Sequence, residues 1–151
     1  MRKIMIIVAA CLFFAACKKD KYTTAPQIKY KSINPLSTSS GVVGAPNPVF
    51  TIGVTDAEGD LGQKAGKDSA WIYVRTLLTN ELDSFLFPDL QLAGKKNFQA
   101  DILINLPLKC KPRPGGVVHT DTLFYDVYIK DFAENKSNIL RTEEGVLYTC
   151  K

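Results

Sequence analysis

Phe98 to Leu106 reads FQADILINL and Thr122 to Lys130 reads TLFYDVYIK, and these two stretches decide the fold. In the first, Phe98, Ala100, Ile102, Ile104 and Leu106 fall on one side and Gln99, Asp101 and Asn105 on the other. That period of two is the mark of a half-buried strand, since a helix would scatter the same residues around its axis. In the second, Leu123, Tyr125, Val127 and Ile129 alternate with Phe124, Asp126, Tyr128 and Lys130. Working outward, Val49 to Thr55 offers Phe50, Ile52 and Val54 to one face, and Ala70 to Leu78 sets Trp71 and Tyr73 opposite Ile72 and Val74. Ser84 to Phe87, Asn138 to Thr142 with Val146 to Thr149, and Gln27 to Ser32 supply the remaining strands. Pro46-Asn47-Pro48, Glu58-Gly59-Asp60, Gly62, Gly66, Pro88-Asp89, Gly94 and the run Lys111 to Gly116 punctuate them as turns. From residue 48 onward no stretch of about a dozen residues shows helical spacing, so the chain is all-β. About seven short strands with turn signals between them predict an immunoglobulin-like antiparallel β-sandwich. The Cys-Trp-Cys signature of antibody domains is missing, so the expectation concerns architecture alone.

The 151 residues are 46% hydrophobic and 23% charged, which suits one globular domain and excludes a disordered, collagenous or coiled-coil protein. The first sixteen, MRKIMIIVAACLFFAA, are set apart by Arg2 and Lys3 followed by an unbroken apolar run from Ile4 to Phe14. That run is too short to span the ~30 Å hydrocarbon core and reads as a secretory signal peptide. It ends Phe14-Ala15-Ala16-Cys17, which resembles the lipobox of bacterial lipoproteins, with Phe14 where that family usually has Leu. The resemblance implies cleavage before Cys17 and a lipidated thiol, so the protein is tethered to a membrane without spanning it. Residues 1–16 are thus expected as signal peptide, 17–26 as lipidated cysteine and flexible tether, and 27–151 as the sandwich domain. Lys18 and Lys19 stand where an inner-membrane retention Asp is common, which favours the outer membrane of a bacterial envelope. Without Arg2 and Lys3 the formal net charge falls from +4 to +2, and no basic-patch argument for nucleic acid survives.

Cys110 and Cys150 remain once Cys11 goes with the signal peptide and Cys17 takes lipid. In an oxidising compartment they are expected as a disulfide closing a loop of about forty residues. With no C-x-x-C pair and His119 as the only histidine, a zinc centre is not expected.

One segment carries candidate metal chemistry. Asp56-Ala57-Glu58-Gly59-Asp60-Leu61-Gly62 follows the second strand, and carboxylates alternating around a glycine bend converge hard oxygens as Ca²⁺ requires. It is no EF-hand, lacking the twelve-position loop. In a sandwich this connection lies at the same end as Asp131-Phe132-Ala133-Glu134-Asn135, which brings Asp131 towards Asp56, Glu58 and Asp60. The competing reading is turn chemistry, with Asp56 and Asp60 capping backbone amides. FTIGVTDAEGDLG and YDVYIKDFAENKSN are similar to paired signatures of small envelope lipoproteins of the Bacteroidota kind, D-x-[DE]-G-D-[LI]-G and D-x-x-x-N-x-S-N. The second also resembles the D-x-x-G-N hairpin of bacterial immunoglobulin-like repeats, with Glu134 in the glycine position. The resemblance implies a fold and an envelope location, and it carries over no established enzymatic activity.

His119-Thr120-Asp121 invites a hydrolase reading, but no G-x-S-x-G elbow is present and His119 reads as an exposed loop residue. A non-catalytic binding or structural module is therefore expected, partnered with the membrane through its lipid and with an envelope protein or glycan. Trp71, Tyr73, Phe124 and Tyr128 form the candidate ligand face if they lie together. A calcium-rigidified adhesin and a hydrolase accessory domain are the alternatives.

Overall fold

The computed structural model describes residues 22–62, 69–89 and 95–151. The expected signal peptide, Cys17, the tether as far as residue 21, and the turn glycines Gly66 and Gly94 lie outside the described residues.

Ten strands are present among the described residues: β1 (Gln27–Asn34), β2 (Ser37–Ser39), β3 (Val49–Asp56), β4 (Trp71–Thr76), β5 (Glu81–Leu86), β6 (Phe98–Asn105), β7 (His119–Leu123), β8 (Tyr125–Lys130), β9 (Leu140–Arg141) and β10 (Val146–Cys150). The strands form three sheets, β1-β3-β6, β2-β10-β7 and β5-β4-β8-β9, and the last two make one layer because β7 runs into β8 with only Phe124 between them. All pairings are antiparallel except β2 with β10, which is parallel. The chain is an all-β sandwich, and the alternation that predicted it sets the core. Phe50, Ile52 and Val54 from β3 and Ile102 and Ile104 from β6 face Ile72 and Val74 from β4 and Tyr125, Val127 and Ile129 from β8. At roughly 1.5–3 kcal/mol for each large side chain removed from water, this interior is the main source of stability.

The sequence reading differs from the structure in four places. The expected strand from Thr122 to Lys130 breaks at Phe124, because β7 pairs with β10 while β8 pairs with β4 and β9. The inward face is unbroken across the change of partner, with Leu123 and Tyr125 both buried, so the periodicity carried no sign of it. The strand expected at Ser84 to Phe87 is β5, which starts at Glu81 because Asn80, at φ 59, turns the chain straight back from β4. β2 was not expected; its Ser-Thr-Ser has no apolar alternation and is held by main-chain pairing to Leu147, Tyr148 and Thr149. His119 is no loop residue, since it opens β7 opposite Cys150.

Two fastenings tie the layers together. Cys110 and Cys150 form the expected disulfide, with Cα atoms 5.9 Å apart, joining the segment after β6 to the end of β10. Near the opposite end the Asn138 side chain takes the N–H of Ile28 at 2.8 Å and donates to its carbonyl at 3.0 Å. Asn138 thereby supplies β1 with the hydrogen bonds a neighbouring strand would make. The described chain enters at this same end, where Thr23 accepts from the N–H of Ala57.

Candidate functional site

The end of the sandwich opposite the disulfide carries the acidic loops. β3 finishes on Asp56, which is fully buried, and its Oδ2 accepts from the backbone N–H groups of Glu58 and Gly59. The turn requires glycine at 59: φ is +69, and a Cβ there would sit 2.1 Å from the carbonyl oxygen of Lys95. The next turn brings in Asp60, whose carbonyl accepts from the N–H of Phe132 at 3.1 Å and so joins this loop to the one after β8. Asp131, 1% exposed, opens that second loop and takes the N–H and side-chain amide of Asn135 at 2.8 and 2.9 Å.

Asp56, Asp60 and Asp131 each present a carboxylate oxygen, and these oxygens lie within 4.8 Å of one another. Oδ1 of Asp56 and Oδ1 of Asp60 are buried, and no hydrogen-bond donor among the described residues reaches either. Among the described residues no lysine, arginine or histidine pairs with any of the three. Like charges at this spacing repel by roughly 3–4 kcal/mol per pair at an effective dielectric constant of 20. Burial pushes the Asp60 carboxyl up to about 6, with the charges of Asp131 and Asp56 adding to it. Burial also raises Asp56, against the opposing pull of the Gly59 N–H. Glu58 is exposed on the turn and stands outside the trio, so the grouping is narrower than the sequence suggested.

The second candidate is the outer face of β5-β4-β8-β9. Trp71 lies between Leu86 and Lys130, Tyr73 between Ser84 and Tyr128, and Arg75 between Leu82 and Asp126. Tyr73 and Tyr128 stack with centroids 4.8 Å apart and planes 9° from parallel. The Lys136 ammonium sits 3.9 Å from the Tyr128 ring centroid, so that ring is held between an aromatic and a cation. Arg141 makes a two-pronged contact with Asp126 at 2.8 and 2.9 Å, and Lys130 reaches Glu134 at 2.6 Å. Phe124 does not join this group. It stands at the break between β7 and β8, where its ring covers Gly145, and Asp126 separates it from Tyr128.

The outer face of the other layer differs. There Gly53 leaves room for Lys31 to reach Asp101 at 3.6 Å, and the surface is otherwise Lys, Thr and Gln with Leu103 alone strongly exposed among the apolar residues. At the disulfide end, His119 is held between the Val117 carbonyl at 2.8 Å and Asp121 at 3.2 Å. Asp121 also accepts from the Lys111 N–H, which with His119 and Arg113 holds its carboxyl below the usual range.

Sequence reasoning passed over Lys136, Ser137 and Asn138 as working residues. Their signal was the N-x-S-N pattern itself: Ser137 Oγ accepts from the Ile129 N–H at 2.9 Å, and Asn138 brackets Ile28. Compared with protein-family models, curated proteins and solved structures, the chain finds no match.

Proposed function

We propose that the chain is a lipid-anchored envelope protein whose sandwich serves as a non-catalytic module for binding another protein. The observation that carries this reading is the contrast between the two outer faces. One is polar, while the other gathers Trp71, Tyr73 and Tyr128 with Leu82 and Leu86, both more than 40% exposed. Tyr, Trp and Arg around a rigid centre, with charge at the rim, is the composition of a protein-binding surface. The stack fixes the two tyrosines before any partner arrives, which lowers the entropy lost on association. A glycan is a poorer fit, because pyranose recognition uses free ring faces and those of Tyr128 are occupied. Arg75, Lys130, Lys136 and Arg141 outnumber Asp126 and Glu134 on this face, so the partner surface is acidic and its encounter weakens with salt. The envelope location rests on the Cys17 segment and its resemblance to a lipobox.

The test is a photoactivated cross-linker in place of Ser84, the small residue beside Tyr73, in the full chain within its own cells. The control carries the cross-linker at Leu103 on the opposite face. A protein adduct of defined mass at Ser84, absent at Leu103 and lost in the Arg75→Glu, Lys130→Glu double variant, is expected. Equal adducts at both positions, or none at Ser84, would overturn the reading.

A further inference from the structure

The trio at the β3 end goes beyond this reading and does not depend on it. We infer that Asp56, Asp60 and Asp131 form a site for a divalent cation of calcium type. Three carboxylates converge to within 4.8 Å with no basic partner among the described residues. The independent observation is an orphaned atom: Asp56 is wholly buried, yet among the described residues no donor reaches its Oδ1, and Asp60 Oδ1 shares that condition. A buried carboxylate oxygen without a donor is costly to maintain, and a cation satisfies it where no N–H is placed to do so.

The donor set selects the ion. All three ligands are hard oxygens, with no imidazole or thiolate among them, which disfavours zinc and copper. Calcium takes six to eight oxygens in irregular geometry, and carboxylates on two separate loops, completed by water, meet that demand more readily than the strict octahedron of magnesium. The other cluster of this kind among the described residues, His119, Asp121 and Cys150, is no rival, because the Cys150 sulfur is committed to the disulfide.

The supports are already in place around the trio. Glu58 N–H and Gly59 N–H hold Asp56, and the Asn135 amide groups hold Asp131, leaving little reorganisation on binding. A bound cation welds the β3–β4 connection to the β8–β9 connection, which protein contacts join through the Phe132 N–H and Asp60 carbonyl.

The experiment uses the full chain in detergent micelles, stripped with EDTA and titrated with calcium by calorimetry and thermal unfolding. The melting temperature is expected to rise and to keep rising with calcium concentration, the folded-to-unfolded ratio gaining about 100-fold at a hundred times Kd. Asp60→Asn, at the least buried of the three, is expected to weaken binding at least ~10-fold while leaving the EDTA form as stable as the parent or more so. Glu58→Gln should bind as the parent does. No calcium response, an undiminished response in Asp60→Asn, or an equal response to magnesium at the same concentration would overturn the assignment.

Discussion

At the scale of single residues, Asn138 shows how a polar side chain in a loop replaces a strand. Its amide meets both main-chain groups of Ile28, a residue that is itself buried, and so closes one side of the sandwich. Asn138→Ala leaves a buried donor and acceptor without partners, and the expected loss is about 2–4 kcal/mol in urea unfolding. A value below about 0.5 kcal/mol would mean that water takes over both bonds. Tyr125 works in a related way, burying its ring while its hydroxyl donates to the Pro107 carbonyl at 2.9 Å. Burial drives the Tyr125 hydroxyl well above the ordinary tyrosine range, so it remains a donor at any physiological pH. Glu134 occupies the left-handed region at φ 64, as the glycine position of the hairpin pattern implies. These roles were half legible. The spacing Asp131, Asn135, Ser137, Asn138 was visible in the chain, but the partners of Ser137 and Asn138, Ile129 and Ile28, lie in other strands and only the fold supplies them.

Among the elements, the inward faces of the four longest alternating stretches were legible and most strand partners were not. Alternation reports which side of a strand is buried and is silent about which neighbour it pairs with. That is why the change at Phe124 and the parallel addition of β2 to β10 were invisible, while Ile102, Ile104, Val127 and Ile129 were placed correctly. The disulfide is the exception, a long-range contact readable from counting alone. It joins residues separated by 40 positions and fastens one layer to the other. Chain-entropy arguments give such a loop about 4 kcal/mol, so Cys110→Ser with Cys150→Ser should fall short of the parent by about 2–4 kcal/mol in chemical unfolding. A double variant as stable as the parent would show that the fastening at Asn138 and the shared core hold the layers without it.

For the whole molecule, the described chain begins at the end that carries the acidic loops. Thr23 is bound to Ala57 at the end that carries Asp56, and the disulfide lies at the other end. If Cys17 carries lipid as proposed, the acidic end, where the described chain begins, is the end joined to the anchor. Trp71, Tyr73 and Tyr128 of the aromatic face were legible as aromatics at alternate positions and are half-buried in the structure, and the convergence of Asp56, Asp60 and Asp131 followed from the expected topology. The separation of Phe124 and the exclusion of Glu58 were not, since both depend on the path of the chain between strands. If the face binds as proposed, Trp71, Tyr73 and Tyr128 are covered by a partner in place. Hydroxyl-radical footprinting of the full chain, in intact envelope membranes and after purification in detergent, measures this directly. Modification of those three rings is expected to drop severalfold in the membranes while Leu103 is unchanged; equal modification in both preparations would show that no partner covers them.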